Sequence, residues 1–487
     1  MRYFRTVLTV ATLMLGPVFA EATDREARGL GDLPAKAVEA SEWFIDILDD
    51  TTIVGPHIGV AYDDLNEKTY VSYYDAVNGD LWFAWPILDA ADHNGNCGPD
   101  NTFNCLPVDT EGNVGMYNDI AVRASTVSST IYISYFDETN HALKVMEVHN
   151  DHTYNVIGIM APGYRTIQTG DPHNDLWYGK HTSVSQRLGV PIVAYQKGNA
   201  FHFIDEVQMV ARPVAEDTGN CGEGEYLNDW QCDSIYSAEG AGQYASIDLD
   251  SGGNPSVAFY DPGLGAPVVA TEVGGSGNCG PSNSWSCIAV PNGTDSTGKF
   301  LSLALEADGT PHLAYYNATD QSLEYATCAL PGGNCSLPNW QTARISAMGT
   351  SLVDMGISID LDPGGDPVIA HQDASDPIGP AVLAIARPWT LLPDSTPNCG
   401  PLGLVGFTWV CEWLDSGGAT LSEARAVSLN VNQAGHAIVA YHELDDYPYT
   451  AEGKVKLAFE EPPLVFSDGF ESGDFSFWSN VVTGTAP

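Results

Sequence analysis

Basic side chains are scarce in this sequence. Lysine and arginine number 19 together, against 63 aspartates and glutamates, and the formal net charge is −44. Nucleic acid and anionic membrane surfaces are held by clustered lysine and arginine, so both are excluded as partners. No Cys-x-x-Cys pair occurs, which removes the usual zinc spacing. No EF-hand loop, nucleophile elbow or zincin motif occurs either. Beyond residue 20 no run of about twenty apolar residues is present to cross a bilayer as a helix. No long amphipathic helical period is present. The acidity has two readings, a solvated salt-tolerant surface or structural calcium held by many carboxylates. The acids are scattered rather than spaced as a calcium loop, which favours the first reading, and no cofactor is expected.

Residues 1–20, MRYFRTVLTVATLMLGPVFA, have a basic start, a short apolar run and a small-residue end. That is the pattern of a secretory signal peptide, with cleavage expected after Ala20. Glu21 follows, so no lipid-anchored cysteine is indicated. The expected compartment is extracellular or periplasmic. Ten cysteines fall into five local pairs: Cys97 with Cys105, Cys221 with Cys232, Cys279 with Cys287, Cys328 with Cys335, and Cys399 with Cys411. Short even spacings in an exported chain predict disulfides between nearest neighbours.

Repetition decides the fold. Residues 246–261 read SIDLDSGGNPSVAFYD and residues 358–373 read SIDLDPGGDPVIAHQD. Searching for that phrase yields seven copies, whose second strands are YVSYYD, YISYFD, IVAYQK, SVAFYD, HLAYYN, VIAHQD and IVAYHE. Their Ser or Ala residues fall at 72, 134, 194, 258, 314, 370 and 440. Each copy has an alternating first strand, a Gly, Asn or Pro turn, the second strand, and a third such as DLWFAW. A fourth strand opened by an aromatic follows, as in FNCLPVD or WVCEWLD. Four antiparallel strands per unit, repeated radially, predict propeller blades.

The seventh copy lacks a fourth strand, because it runs into EEPP at 460–463. Residues 42–50, EWFIDILDD, have the missing strand's aromatic start and alternation. The N-terminal segment is therefore expected to complete the last blade, leaving no open edge at the seam. The prediction is an all-β, seven-bladed propeller over 42–462, preceded by a linker at 21–41 and followed by a tail at 463–487.

In repeat style over 42–462 the chain resembles the broad class of secreted bacterial propellers that includes sialidase-like proteins. Sialidases carry Asp boxes, S-x-D-x-G-x-T-W, and none is present here. Arg123, Arg187, Arg344 and Arg425 hold unlike places in their repeats, so no arginine triad is readable. The resemblance thus implies fold without activity. The tail VFSDGFESGDFSFW resembles a DGFESGD-type segment of exported proteobacterial proteins.

Propeller ligands gather on the face of the fourth-to-first and second-to-third loops. The register places there Pro56-His57, Met116-Tyr117, Lys180-His181, Gln243-Tyr244, Lys299-Phe300, Met355-Gly356 and Arg425-Ala426, just before the first strands. Lys180, Lys299 and Arg425 are expected to ring one channel mouth, with His57 and His181 nearby. Asp75, Asp137, Asp261 and Asp373 end second strands on the same face. Two functions follow. One is a non-catalytic binding propeller engaging a glycan, a peptide or an anionic small molecule at the mouth. The alternative is a sialidase-like glycoside hydrolase or a polysaccharide lyase at the same face, which needs converging carboxylates. A metal site would need His57, His181, His371 and His442 to converge.

Overall fold

The computed structural model describes residues 43–460, apart from 52–53, 88–92, 153–155, 200–206, 225–226, 329–334, 336–338, 350–354, 375–380, 389–397, 400–408, 416–422 and 445–452. The expected signal peptide, linker and tail lie outside the described residues. These form seven four-stranded antiparallel sheets, here called blades I to VII in chain order. Their first strands are Val54–Asp63, Val114–Arg123, Leu176–Arg187, Gln243–Leu249, Thr297–Leu305, Ile357–Leu361 and Glu423–Val431. Each first strand touches the next, and the last touches the first, so the blades close into a ring. Blade VII is completed by Trp43–Asp49, which pairs antiparallel with Gly453–Glu460 from Trp43↔Glu460 to Asp49↔Val455. The protein is a seven-bladed β-propeller, closed as its repeats predict.

The core lies between blades rather than at a centre. Seven apolar clusters each join residues of two neighbouring blades, one cluster per interface. Second strands such as PSVAFYD, PHLAYYN and PVIAHQD are buried along their whole length. Their two faces both meet neighbouring blades, which explains near-continuous apolar runs in place of alternation.

Polar ties cross the same interfaces. The Ser183 hydroxyl accepts from the Ile247 amide, Ser246 from Leu303, Ser302 from Ile359, Ser358 from Leu429 and Ser428 from Val60. Asp119 serves in the same way towards Val184 at 2.8 Å. In blade I the equivalent position is Gly59, where a Cβ would come within 3.0 Å of Ile120 Cγ2. Asp248 and Asp360 add second ties, accepting from the Leu305 and Val431 amides at 2.8 and 2.7 Å. Farther out, Tyr73 donates to Asp49 at 2.6 Å and Tyr135 to Asp109 at 2.7 Å. Tyr195 donates to Gln168 of the preceding blade in the same way.

All ten cysteines are bonded to their expected nearest neighbours. Cys97 is joined to Cys105, Cys221 to Cys232, Cys279 to Cys287, Cys328 to Cys335, and Cys399 to Cys411. Cys105, Cys232, Cys287 and Cys411 sit within fourth strands, so each bond clips the preceding loop onto its own blade. Cys335 instead follows a third strand, Ser322–Cys328, and is bonded to that strand's last residue. The asparagine before the first cysteine of the other four pairs has a role that the spacing alone did not show. Asn96, Asn220, Asn278 and Asn398 each accept from the amide of the second cysteine and donate to its carbonyl, completing a strand-like pair.

Two strand boundaries differ from expectation. The fourth strand of blade II runs on to Gln168, past an irregularity in its pairing between Met146 and Val148. Except in blade VI, the residue pairs expected before the first strands lie inside them. A register shift at each such pair breaks the alternation that marks a strand in sequence.

Candidate functional site

That register shift builds the mouth of the ring. Tyr117, His181, Tyr244, Phe300 and Ala426 have φ of 53, 50, 55, 52 and 41°, the left-handed region. Bulky residues held there cost on the order of 1 kcal/mol each, and such strain collects at functional sites. A bulge also re-aims the side chain it carries. Here it assembles a collar. His57 and Tyr117 have ring centroids 4.5 Å apart, Tyr117 and His181 4.7 Å, His181 and Tyr244 5.0 Å, and Tyr244 and Phe300 4.7 Å. The interplanar angles are 45, 54, 56 and 48°. Neighbouring blades of a seven-fold ring are rotated by about 51°, so the ring planes stand upright along the axis like slats. This spacing carried round seven blades sets opposite sides about 11 Å apart, centre to centre.

The collar covers blades I to V and stops at Gly356 and Ala426 of blades VI and VII. Its histidines are neutral. Burial lowers His57 to about 4. Burial, with the charges of His57 and Lys180 beside it, lowers His181 to about 3. Behind it, burial lowers His442 to about 4, helped by the Arg425 and His57 charges.

No protein-family profile and no curated protein matches this sequence. Similar solved structures include AofleA from Arthrobotrys oligospora, at 11% identity and a TM-score of 0.39, covering 77% of this chain and 92% of that one. The NanB sialidase of Streptococcus pneumoniae is 10% identical with a TM-score of 0.40, covering 85% and 70%. The endosialidase of phage phi92 is 10% identical with a TM-score of 0.41, covering 92% and 72%. At these values the likeness says nothing of ligand or activity.

The expected site residues divide into three groups. His57, His181 and Tyr244 belong to the collar. Lys180, Gln243, Lys299 and Arg425 hold equivalent register positions one residue earlier, opposite Gln196, Tyr260, Tyr316 and His442. The Lys180 ammonium lies 4.5 Å from the Trp177 ring and 5.8 Å from that of Phe136. Arg425 is 8% exposed.

The four second-strand aspartates are buried, and turn or strand groups engage their oxygens. Asp75 accepts from the amides of Val77 and Asn78 and from the Asn78 side chain. Asp137 accepts from Asn140 and faces Lys144 at 2.8 Å. Asp261 accepts from the Gly263 and Leu264 amides and the Tyr236 hydroxyl. Asp373 accepts from the Trp413 indole. Among the described residues no group of three or more His, Cys, Asp or Glu is placed to hold a metal ion.

The sequence reading placed three collar members as neighbours of the cations and did not single out Tyr117 or Phe300 as ligand contacts. For Phe300 the usable signal was its place, two residues before the recurring Ser of SVSQ, SIDL and SLAL, whereas Tyr117 stands two residues before Asp119, which replaces that Ser in blade II.

Proposed function

We propose that this chain is an exported, non-catalytic binding propeller that engages a glycan or an anionic small molecule at its channel mouth. The collar carries this reading: five upright rings in one arc, four of them on left-handed bulges. Aromatic walls with a few polar groups are how proteins line small-ligand sites, and ring surfaces suit the C–H faces of sugars. Lys180, Lys299 and Arg425 flank the arc and supply the local positive charge that an anionic group would need. Binding is favoured over hydrolysis because the nearby carboxylates are tied into turns rather than paired across an opening. Export accords with five disulfides, which persist in oxidising compartments. No cofactor enters this reading.

The test is a glycan and small-anion binding screen on the mature protein, repeated on Tyr117→Gly and Tyr244→Gly. Each substitution removes a ring and relieves a left-handed residue, so folding should survive. Affinity is expected to fall about tenfold or more in each, equivalent to about 1.4 kcal/mol. Ligand binding unchanged in both variants refutes the site.

A further inference from the structure

The face opposite the collar carries the turns between first and second strands, and it is divided in two. In blades IV to VII these turns read DSGGN, EADGT, DPGGD and NQAGH, at 250–254, 306–310, 362–366 and 432–436. The first three of them carry carboxylates, and none of the four exposes a large apolar side chain among the described residues. In blades I to III the turns expose Leu65, Val127, Leu188 and Val190, at 55, 67, 82 and 44%. Adjacent turns are tied together. The Asn66 side chain donates to the Ser125 carbonyl at 2.9 Å, and the Tyr132 hydroxyl to the Gly189 carbonyl at 2.7 Å. The four side chains thus share one patch across three blades, unlike the scattered apolar residues of an ordinary surface.

Leu188 is out of keeping with its own turn. Arg187 pairs with Val190, so Leu188 and Gly189 are the two residues of a hairpin turn, with φ of 53 and 84°. A turn with both φ positive takes Asn-Gly by preference. A leucine there is strained as well as exposed, and strain of this kind collects where a surface is used. Basic charge gathers at the same place. Arg123 and Arg187 open the turns of blades II and III, and both are exposed. Their side chains lie against Gly189 and Gly253 of the following blades. Neither forms an ion pair among the described residues. Residues 123–128 and 187–190 contain no carboxylate, in a chain of net charge −44.

The chain supplies the complement from the same face. Glu460 ends the third strand of blade VII, and its carboxylate accepts from the Ala437 amide at the start of the second strand, at 3.0 Å. The backbone beyond Glu460 therefore leaves the ring on the side of the turns. Residues 461–487 contain no lysine or arginine, and 466–478 read FSDGFESGDFSFW, aromatic rings interspersed with three carboxylates. Six strand spacings of about 4.8 Å and the channel of about 11 Å put the outer edges of the ring about 40 Å apart. Extended at about 3.3 Å per residue, 461–478 covers about 60 Å, so blades I to III lie within its reach.

We propose that residues 466–478 dock on this patch of their own ring, with their aromatic rings on Leu65, Val127, Leu188 and Val190 and their carboxylates towards Arg123 and Arg187. The contact removes exposed apolar surface from water and sets an acidic segment against the arginines. It concerns the face opposite the collar and stands independently of the ligand reading.

The test is hydrogen–deuterium exchange on the full chain, disulfides intact, read on peptides within 463–480. The parent is compared with Leu188→Asn and with the double variant Arg123→Glu, Arg187→Glu. Asparagine suits the left-handed turn, so Leu188→Asn should melt at or above the temperature of the parent. Docking slows exchange of the parent segment about tenfold or more relative to a free peptide of the same sequence. Each variant should recover about fivefold or more of that rate, while peptides from the buried second strands stay unchanged. Exchange at the free-peptide rate in the parent overturns the proposal. So does slowing that either variant retains in full, since the segment then rests elsewhere. Slowing that grows with protein concentration, alongside a dimer's mass by light scattering, overturns docking on the same ring in favour of a second copy.

Discussion

Asp360 makes the ring's stability depend on pH in a direction opposite to ordinary acid denaturation. Its carboxylate accepts from the Leu361 and Val431 amides and so ties blade VI to blade VII. Burial raises its pKa to about 7, and the charges of Asp248 and Asp64 add to the effect. A carboxyl raised in the folded state contributes stability that is complete below its unfolded value and is lost as pH rises through the folded value. From an unfolded value of 3.8 to about 7 the full effect is about 4 kcal/mol. Much of that range overlaps other titrations. His57, His181 and His442 are lowered by burial, so their stability is lost as pH falls from their usual value towards about 4, 3 and 4. Asp248 is raised to about 6 and is mostly ionised earlier.

Between about pH 6.5 and about pH 8 Asp360 removes about 1 kcal/mol of stability, while His57, His181 and His442, half protonated in the unfolded chain at their usual value of 6.5, together return about as much. Denaturant unfolding of the protein and of Asp360→Asn at the two pH values separates the two effects. Asp360→Asn should be less stable near pH 6.5, because one amide tie is weakened, and its stability should rise across the window by about 1 kcal/mol more than the parent's. A variant whose slope over that window equals the parent's refutes the reasoning.

Three other outcomes follow from the seams. Tyr135→Phe removes a buried hydrogen bond to the Asp109 carboxylate and should cost about 1.5–3 kcal/mol in denaturant unfolding. Ser302→Ala leaves the Ile359 amide without its cross-seam acceptor and should cost about 1–3 kcal/mol, whereas an exposed serine would cost nothing measurable. Removing residues 21–50 uncovers the Gly453–Glu460 strand as an open edge. The product should aggregate on size exclusion, and a stable monomer would contradict the closure.

The ring was legible because repetition is written in register. Seven second strands carry a small residue before their aromatic or polar pair, and that spacing alone counted the blades. Closure was legible from a strand missing at one end and present at the other. The disulfides were legible too, because each partner, from Cys105 to Cys411, stands within a dozen residues of its mate. The collar was not, since a residue in the left-handed region at Tyr117 or Phe300 breaks the period-two pattern by which strands are read. The aspartates ending second strands were visible by position, but their engagement by turn amides was not.

The permuted last blade sets an order of events. Trp43–Asp49 leaves a ribosome long before its partner, Gly453–Glu460. The strand that shuts the ring must wait, unpaired, until the strands of all seven blades have followed. The entropy of joining such distant segments grows only with the logarithm of their separation, but contacts of this range form late and slowly. For that interval the nascent protein is an open arc with one uncovered edge and one loose strand. A chaperone would find both at once.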